Sequence, residues 1–330
     1  MDNKITRRRL QDFLAYEWLV IVAIVVVCIL AWELIFTMTQ VKITTGQDFL
    51  FFYDTTIDTG SATKVYNLFE KEDEERTVFS YDVFRISHEG LYNEYNVLEE
   101  RLSVQEGDVI ITDCTEPKKD EDFLVSAKAI IDRYAVCDYY KLRDDAEAYL
   151  ANLLKDGLTK ETADVTNYKN LDENKIEALF RERMKGDNRY RAENQKQEGI
   201  ALEKERIKDL CEELKKFKYL LTQGDEYFMW YRRYDQTIAE YGNTPEAEKT
   251  YENDPYRQRG IRPYGLKVEA LNGRGENSPS RYFKKLNADT AKDVVILVFD
   301  LIQYQPHLQF ESIAFINAVV DGCSNVYDRM

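Results

Sequence analysis

The pattern of hydrophobic and polar positions predicts an α/β fold in the first third of the chain. Short β-branched or aromatic runs predict strands at 48 to 54 (DFLFFYD), 79 to 87 (FSYDVFRIS) and 108 to 113 (DVIITD). Helical spacing of apolar residues predicts helices at 62 to 71 and 91 to 104. The resulting β-α-β-α-β order is typical of a parallel sheet that is covered by helices.

The middle of the chain, residues 122 to 241, has an almost wholly helical pattern and is predicted to be a large helical insertion. The predicted helices lie near 122 to 140, 144 to 156, 172 to 185, 195 to 223 and 225 to 240. The fourth contains a heptad run formed by Ile200, Ile207, Leu210, Leu214, Phe217 and Leu221. Such a run predicts either a hairpin within this chain or pairing with a helix of another protein.

Residues 242 to 330 begin as a loop region rich in Pro and Gly, with one predicted strand at 266 to 271. The NGRGENS segment at 272 to 278 contains a G-x-G pattern without a helical start signal, and it reads as a turn. The β-branched run DVVILVF at 293 to 299 predicts a buried strand, and a closing helix follows at 308 to 321. We expect this last strand and helix to rejoin the first sheet.

Residues 17 to 38 predict a transmembrane helix, because the stretch from Trp18 to Trp32 is apolar apart from Cys28. A cleaved signal peptide is the alternative, but no A-x-A pattern follows the apolar run. Basic residues lie mainly before the run, within residues 1 to 16. The positive-inside rule therefore predicts a single-pass protein of the cell membrane, with a cytoplasmic N-terminus and an extracytoplasmic C-terminal domain.

The composition excludes several classes of function. The formal net charge of −15 argues against nucleic acid as a partner, since nucleic acid requires a basic surface. The chain has two histidines and lacks the H-E-x-x-H, G-x-S-x-G and P-loop motifs, so we expect no enzyme, no metal site and no cofactor. Four of the cysteines follow the predicted span, and the sequence is compatible both with disulfides between them and with free thiols.

Polar residues at the predicted strand ends are the first candidates for ligand binding, because open α/β sheets bind ligands beyond the carboxyl ends of their strands. The candidates are Asp54, Thr55, Ser87, His88, Asp113 and Thr115. Their carboxylates and hydroxyls would suit a polar or cationic solute. The alternative is that these residues cap the next helix or close a turn.

An aromatic cluster, YFMWYRRY at 227 to 234, is the second candidate. Tyr227 and Trp230 could form a stacking wall for a sugar or peptide, and Arg232 could meet a carboxylate. The alternative is a helix that packs one aromatic face into the core, since Tyr227, Tyr231 and Tyr234 have the spacing of a helical face.

Several of these segments resemble one family. FLFFYD, FSYDVFRIS and YNVLEERLSVQEGDVIITD resemble the first lobe of bacterial type II extracellular solute-binding proteins. DVVILVFD with FESIAFINAVV is similar to the closing strand and helix of that family. The resemblance implies one α/β lobe, built from residues 39 to 121 and 242 to 330, that captures a ligand in a cleft. It also implies delivery of that ligand to an ABC-type importer or a sensor subunit.

Two functions follow as hypotheses. The first is a membrane-anchored, extracytoplasmic protein resembling a solute-binding protein, which captures a small polar solute or peptide without chemistry. The second is a single-pass scaffold that pairs with another membrane protein through the helical arm at 172 to 223.

Overall fold

The structure, a computed structural model, contains a mixed sheet flanked by helices. It describes residues 7–39, 48–61, 64–65, 68, 85–91, 95–115, 126–232, 261–300 and 310–330. The described helices are α1 (Arg7–Thr39), α2 (Tyr95–Ser103), α3 (Ala127–Arg133), α4 (Tyr139–Ala151), α5 (Glu173–Arg183), α6 (Glu193–Leu220), α7 (Pro279–Tyr282) and α8 (Phe310–Cys323). The strands are β1 (Asp48–Tyr53), β2 (Arg85–Gly90), β3 (Val109–Asp113), β4 (Val136–Cys137), β5 (Phe228–Arg232), β6 (Ile261–Lys267) and β7 (Val294–Phe299).

One half of the sheet is parallel and the other half is antiparallel. β1 pairs in parallel with β2 on one side and with β3 on the other, which confirms the predicted parallel unit. β7 then pairs antiparallel with β3, and β6 and β5 continue antiparallel, giving the order β2-β1-β3-β7-β6-β5. The last strand therefore rejoins the first sheet as expected. The predicted parallel sheet is therefore confirmed in part, because β7 runs antiparallel to β3.

Helices cover both faces of this sheet, because successive strand residues point to opposite sides and both sides are apolar. Phe51, Ile111 and Ile296 face one core, which α4, α6 and α8 close with buried aliphatic and aromatic side chains. Phe52 and Leu297 face the other core, where α2 and α3 pack. The α/β class is thus confirmed, and the sheet lies between two helical layers.

Of the five helices predicted for the middle region, two are confirmed, two are wrong over the described residues, and the one at 144 to 156 is present as α4, five residues earlier in the chain. α5 and α6 lie within one to three residues of the predictions at 172 to 185 and 195 to 223. The predicted helix at 122 to 140 is divided, because Val136 and Cys137 pair with the end of β7 as β4. The predicted helix at 225 to 240 begins as a 3₁₀ turn and β5. The middle region therefore contributes two strands to the sheet and is not wholly helical.

The heptad face of α6 is used within the chain. Ile207, Leu210 and Leu214 are fully buried, and they belong to the same core as the sheet residues. α6 packs against α5, α4 and α8. This supports the intramolecular interpretation of the heptad run, in which Leu221 is the one partly exposed residue.

α1 covers the whole of the predicted segment at 17 to 38, so its helical conformation is confirmed. The chain divides into two compact units, Met1–Ile43 and Thr44–Met330, and α1 belongs to the first. Across the described residues, no helix is both long enough and apolar enough to qualify as a membrane span.

Some predicted segments fall wholly or mainly outside the described residues. They are most of the helix at 62 to 71, the start of the strand at 79 to 87, and the loop at 242 to 260. The strand predicted at 266 to 271 is partly wrong, because β6 ends at Lys267 and a 3₁₀ turn follows over Val268–Leu271.

Candidate functional site

One edge of the sheet collects most of the predicted polar residues. β1, β3 and β6 end at this edge, whereas β5 and β7 begin there, as the register of Asp113 with Val294 and of Leu266 with Phe228 requires. We call it the carboxyl edge. It is the edge at which open α/β sheets bind ligands.

Asp54 lies at the carboxyl edge as a buried carboxylate held by hydroxyl groups. It accepts hydrogen bonds from Thr112 Oγ1 at 2.6 Å and from Thr55 Oγ1 at 3.1 Å. Its backbone N–H donates to the carbonyl of Ile111 at 3.0 Å. Asp54 therefore ties the end of β1 to the end of β3. The sequence did not single out Thr112, because it reads as one more strand residue of the DVIITD run.

Asp113 and Thr115 form a second cluster with Lys285, which reaches them from the loop before β7. Asp113 Oδ1 accepts from the backbone N–H of Thr115 at 2.7 Å, and Asp113 Oδ2 lies 2.7 Å from Lys285 Nζ. Lys285 also donates to Thr115 Oγ1 at 2.9 Å and lies 3.4 Å from Asp293 Oδ2. Burial lowers the pKa of Lys285, but the hydrogen bond and charge of Asp113 outweigh it and raise that pKa overall.

These contacts give the strand-end carboxylates a structural role. Lys285 and its neighbours hold the loop at 283 to 293 over the edge, where Leu286 N–H donates to the Thr56 carbonyl at 2.7 Å. Asp54 and Asp113 thus have hydrogen-bonding or charged partners within the chain. This agrees with the alternative interpretation of these residues as turn-closing groups, and it weakens the expectation of a cationic solute.

Ser87 and His88 do not lie at a strand end, so their assignment to the carboxyl edge is wrong. β2 continues to Gly90, and both residues are in its interior. Ser87 Oγ donates to Asp48 Oδ1 at 2.9 Å. The ring of His88 stacks on Phe51, with 5.8 Å between the ring centroids. Both side chains therefore fasten β2 to β1.

The aromatic cluster is divided along β5, because residues in a strand spread over about 3.3 Å each instead of sharing a helical face. Tyr227 precedes β5 at the carboxyl edge, whereas Arg232 ends β5 at the opposite edge, paired with Ile261. Trp230 Nε1 donates to the Asp225 carbonyl at 3.1 Å, and its ring packs edge-on against Tyr140. Tyr227 and Arg232 therefore lie at opposite ends of β5, so the predicted grouping of a stacking wall beside Arg232 is not formed. Tyr234 lies outside the described residues.

Tyr227 instead lines a cavity of about 430 Å³ at the carboxyl edge. The other walls are Gln223 after α6, the loop at 271 to 277 after β6, and the C-terminal residues 324 to 329. The loop contains the NGRGENS segment, and its prediction as a turn is confirmed by the left-handed Asn272 and Gly275. The sequence did not identify this cavity, because its walls come from three distant segments.

The loop wall of the cavity is held by a close backbone approach at Gly273. A Cβ atom at this position would lie 2.0 Å from the Asn277 carbonyl oxygen and 2.2 Å from that of Cys323. Both neighbours are backbone atoms and cannot move aside like a flexible side chain. Only glycine therefore fits between the loop and the end of α8.

The C-terminal wall is fixed by hydrogen bonds to α8 and α6. Ser324 Oγ donates to the Val320 carbonyl at 2.7 Å, and Tyr327 OH donates to Asn317 Oδ1 at 2.6 Å. Asn317 is fully buried and donates in turn to Glu213 Oε2 at 2.6 Å. The walls are thus preformed, as a binding site requires.

Within the described part of the chain, the thiols and the acidic groups show no further site. All five cysteines are unpaired. Burial raises the pKa of Cys211 and of Cys323 to about 12, so both remain protonated and unreactive. Among the described residues, no cluster of three His, Cys, Asp or Glu side chains could hold a metal ion.

Comparison of the chain with protein-family models, with curated proteins and with solved structures finds no match.

Proposed function

We propose that this chain is a membrane-anchored, extracytoplasmic binding protein that captures a small polar solute without chemical change. The observation that carries the proposal is the preformed cavity of about 430 Å³ at the carboxyl edge of the sheet. Its volume lies within the range of roughly 300 to 1,000 Å³ typical of small-molecule sites. Its walls are mainly amide, hydroxyl and guanidinium groups, which suit a polar ligand.

The resemblance to type II extracellular solute-binding proteins supports the same proposal. The segments that carry the resemblance, FLFFYD, DVIITD and DVVILVFD, contain the adjacent central strands β1, β3 and β7. By that resemblance, the captured solute would be passed to an importer or a sensor subunit in the membrane.

The membrane anchor in this proposal is α1. The apolar run from Trp18 to Phe36 lies within α1 and is interrupted by Cys28 and Glu33. At 1.5 Å per residue it extends roughly 28 Å, close to the thickness of a hydrocarbon core of ~30 Å. Residues on every side of the helix are exposed, including Val27 at 63% and Trp32 at 70%. A lipid environment is the physical reason for such a helix to be apolar all round.

We expect two central arginines, Ile24→Arg with Val27→Arg, to remove the full chain from the membrane fraction. Each costs about 3 kcal/mol at the centre of a span. The matched control Gln11→Arg lies before the span and should leave the chain in the carbonate-washed pellet. Protease added to the outer face should digest only the C-terminal domain. Retention of the double variant in the washed pellet would contradict the anchor.

Solute capture is tested by thermal unfolding of the full chain in nanodiscs with amino acids, sugars, organic acids, phosphate and polyamines. At a ligand concentration of 100 times Kd, we expect stabilisation of about 2.7 kcal/mol. Asn325→Trp fills the cavity from its exposed rim and should abolish the shift. Leu202→Trp adds the same bulk on the solvent face of α6, away from the cavity, and should leave the ligand-induced shift unchanged. A ligand shift that survives Asn325→Trp would exclude this cavity as the site.

A further inference from the structure

Two arginines bring positive charge to the cavity at the carboxyl edge. Arg274 belongs to the loop after β6, and Arg329 belongs to the C-terminal segment. No carboxylate lines this cavity among the described residues. Within the described part of the chain, neither guanidinium forms an ion pair, whereas the neighbouring Arg281 lies 3.9 Å from Glu276.

This sign of charge is opposite to that of the chain as a whole. The protein has 60 acidic and 45 basic residues, so most basic side chains have carboxylates available as partners. Arg274 and Arg329 nevertheless line one cavity that has no carboxylate among its described walls. At the same edge, Asp113 is already 2.7 Å from Lys285 and contributes no free negative charge to this cavity.

The other cavity groups complement an anion with further polar oxygens. A guanidinium offers a planar set of N–H donors that matches the two oxygens of a carboxylate or phosphate. Asn277 and Asn325 provide amide groups for hydroxyl or carbonyl oxygens, and Tyr227 provides a ring face for the carbon skeleton. Gly273 and the Tyr327–Asn317 hydrogen bond hold the two arginine-bearing segments in place.

We infer that the solute is a small anion that carries a carboxylate or phosphate group, which Arg274 and Arg329 bind together. The inference rests on the proposed function, because it names the class of solute for the same cavity. It reverses the polar or cationic solute expected from the strand-end carboxylates.

The test is calorimetric titration of the full chain in nanodiscs of zwitterionic lipid. The probes are inorganic phosphate and succinate as anions, glucose as a neutral solute and spermidine as a cation, each up to roughly 10 mM, where a millimolar site is mostly occupied. We expect binding of at least one anion. Comparison of phosphate with succinate shows whether the site prefers a phosphate or a carboxylate group. Affinity should fall as salt is raised.

The variants Arg274→Gln and Arg329→Gln should each weaken anion binding at least tenfold. Arg133→Gln is the matched control, because it removes an exposed arginine of α3 that does not line the cavity or contact its walls. Unchanged melting temperatures of the unliganded variants would show that each one folds.

The possible outcomes separate the inference from the proposed function. Binding of glucose or spermidine with no anion binding would overturn the anion class and leave solute capture standing. If all three arginine variants weakened anion binding equally, the cause would be the general surface charge, and the inference would be overturned. Absence of binding by every probe would count against both.

Discussion

Replacing Arg206 with methionine is expected to lower the free energy of unfolding by about 3 to 5 kcal/mol. Arg206 and Glu203 are both fully buried on α6, with Arg206 Nε 2.9 Å from Glu203 Oε2. Arg183 of α5 adds a second guanidinium nitrogen at 3.0 Å from the same carboxylate. Without Arg206, the carboxylate stays buried with only the partner that approaches from α5.

Denaturant unfolding of the full chain in detergent micelles, followed by circular dichroism, measures the effect. The double variant Glu203→Leu with Arg206→Met should lose much less than the sum of the single variants, because it leaves no unpaired buried charge. Arg181→Met is the matched control. Arg181 pairs with Glu177 and Glu193 on the exposed side of α5, where solvent screens the charges, so its loss should cost far less stability than the loss of Arg206. Additive single effects would contradict the buried pair.

The same pair predicts a pH dependence in acid. Burial raises the pKa of Glu203, but the charges and hydrogen bonds of Arg206 and Arg183 outweigh burial and lower that pKa to about 2. In the unfolded chain the carboxyl titrates near its ordinary value of 4.5. The stabilisation is therefore complete above pH 4.5 and is lost as the pH falls towards 2, by an amount on the order of 3 kcal/mol. The double variant Glu203→Leu with Arg206→Met should not show this loss of stability in acid.

Asp108→Asn is expected to raise the free energy of unfolding above pH 7 by up to about 4 kcal/mol. Asp108 is buried before β3, where its carboxylate accepts from the Leu50 N–H at 2.8 Å. Burial, with a smaller contribution from the charge of Asp48, raises the pKa of Asp108 to about 7, although the Leu50 hydrogen bond opposes this. Asparagine keeps an acceptor oxygen for Leu50 and carries no charge.

The direction in which pH changes the free energy of unfolding follows from proton binding by Asp108. Between pH 3.8 and about 7 the folded state holds a proton on Asp108 that the unfolded chain has released. Stability therefore is highest at the acid end of this window and falls as the pH rises through the folded pKa. Unfolding curves of the wild type and of Asp108→Asn should converge near pH 4 and separate towards pH 8. Asp48→Asn should change the dependence of stability on pH only slightly. Parallel stability curves for the wild type and Asp108→Asn would contradict the assignment of this pH dependence to Asp108.

The sequence alone determined the elements whose signal is local. The runs DVIITD and DVVILVF became β3 and β7, since a strand buried on both faces needs apolar residues at nearly every position. α5 and α6 were predicted for a similar reason, because periodic burial marks a helix wherever its partner lies. The apolar character of α1 can likewise be predicted from the sequence, because it does not depend on any tertiary contact.

The tertiary structure decided which segments meet, and that changed the chemistry of the site. A short aromatic run such as YFMWYR is compatible with both a helix and a strand, and pairing with β6 selected the strand. Asp113 looked available for a ligand until the fold brought Lys285 to 2.7 Å from it. Arg274 and Arg329 stand far apart in the chain, in segments with no distinctive periodicity. Their shared cavity exists because β6 and α8 both end at the carboxyl edge, a long-range arrangement that local spacing cannot encode.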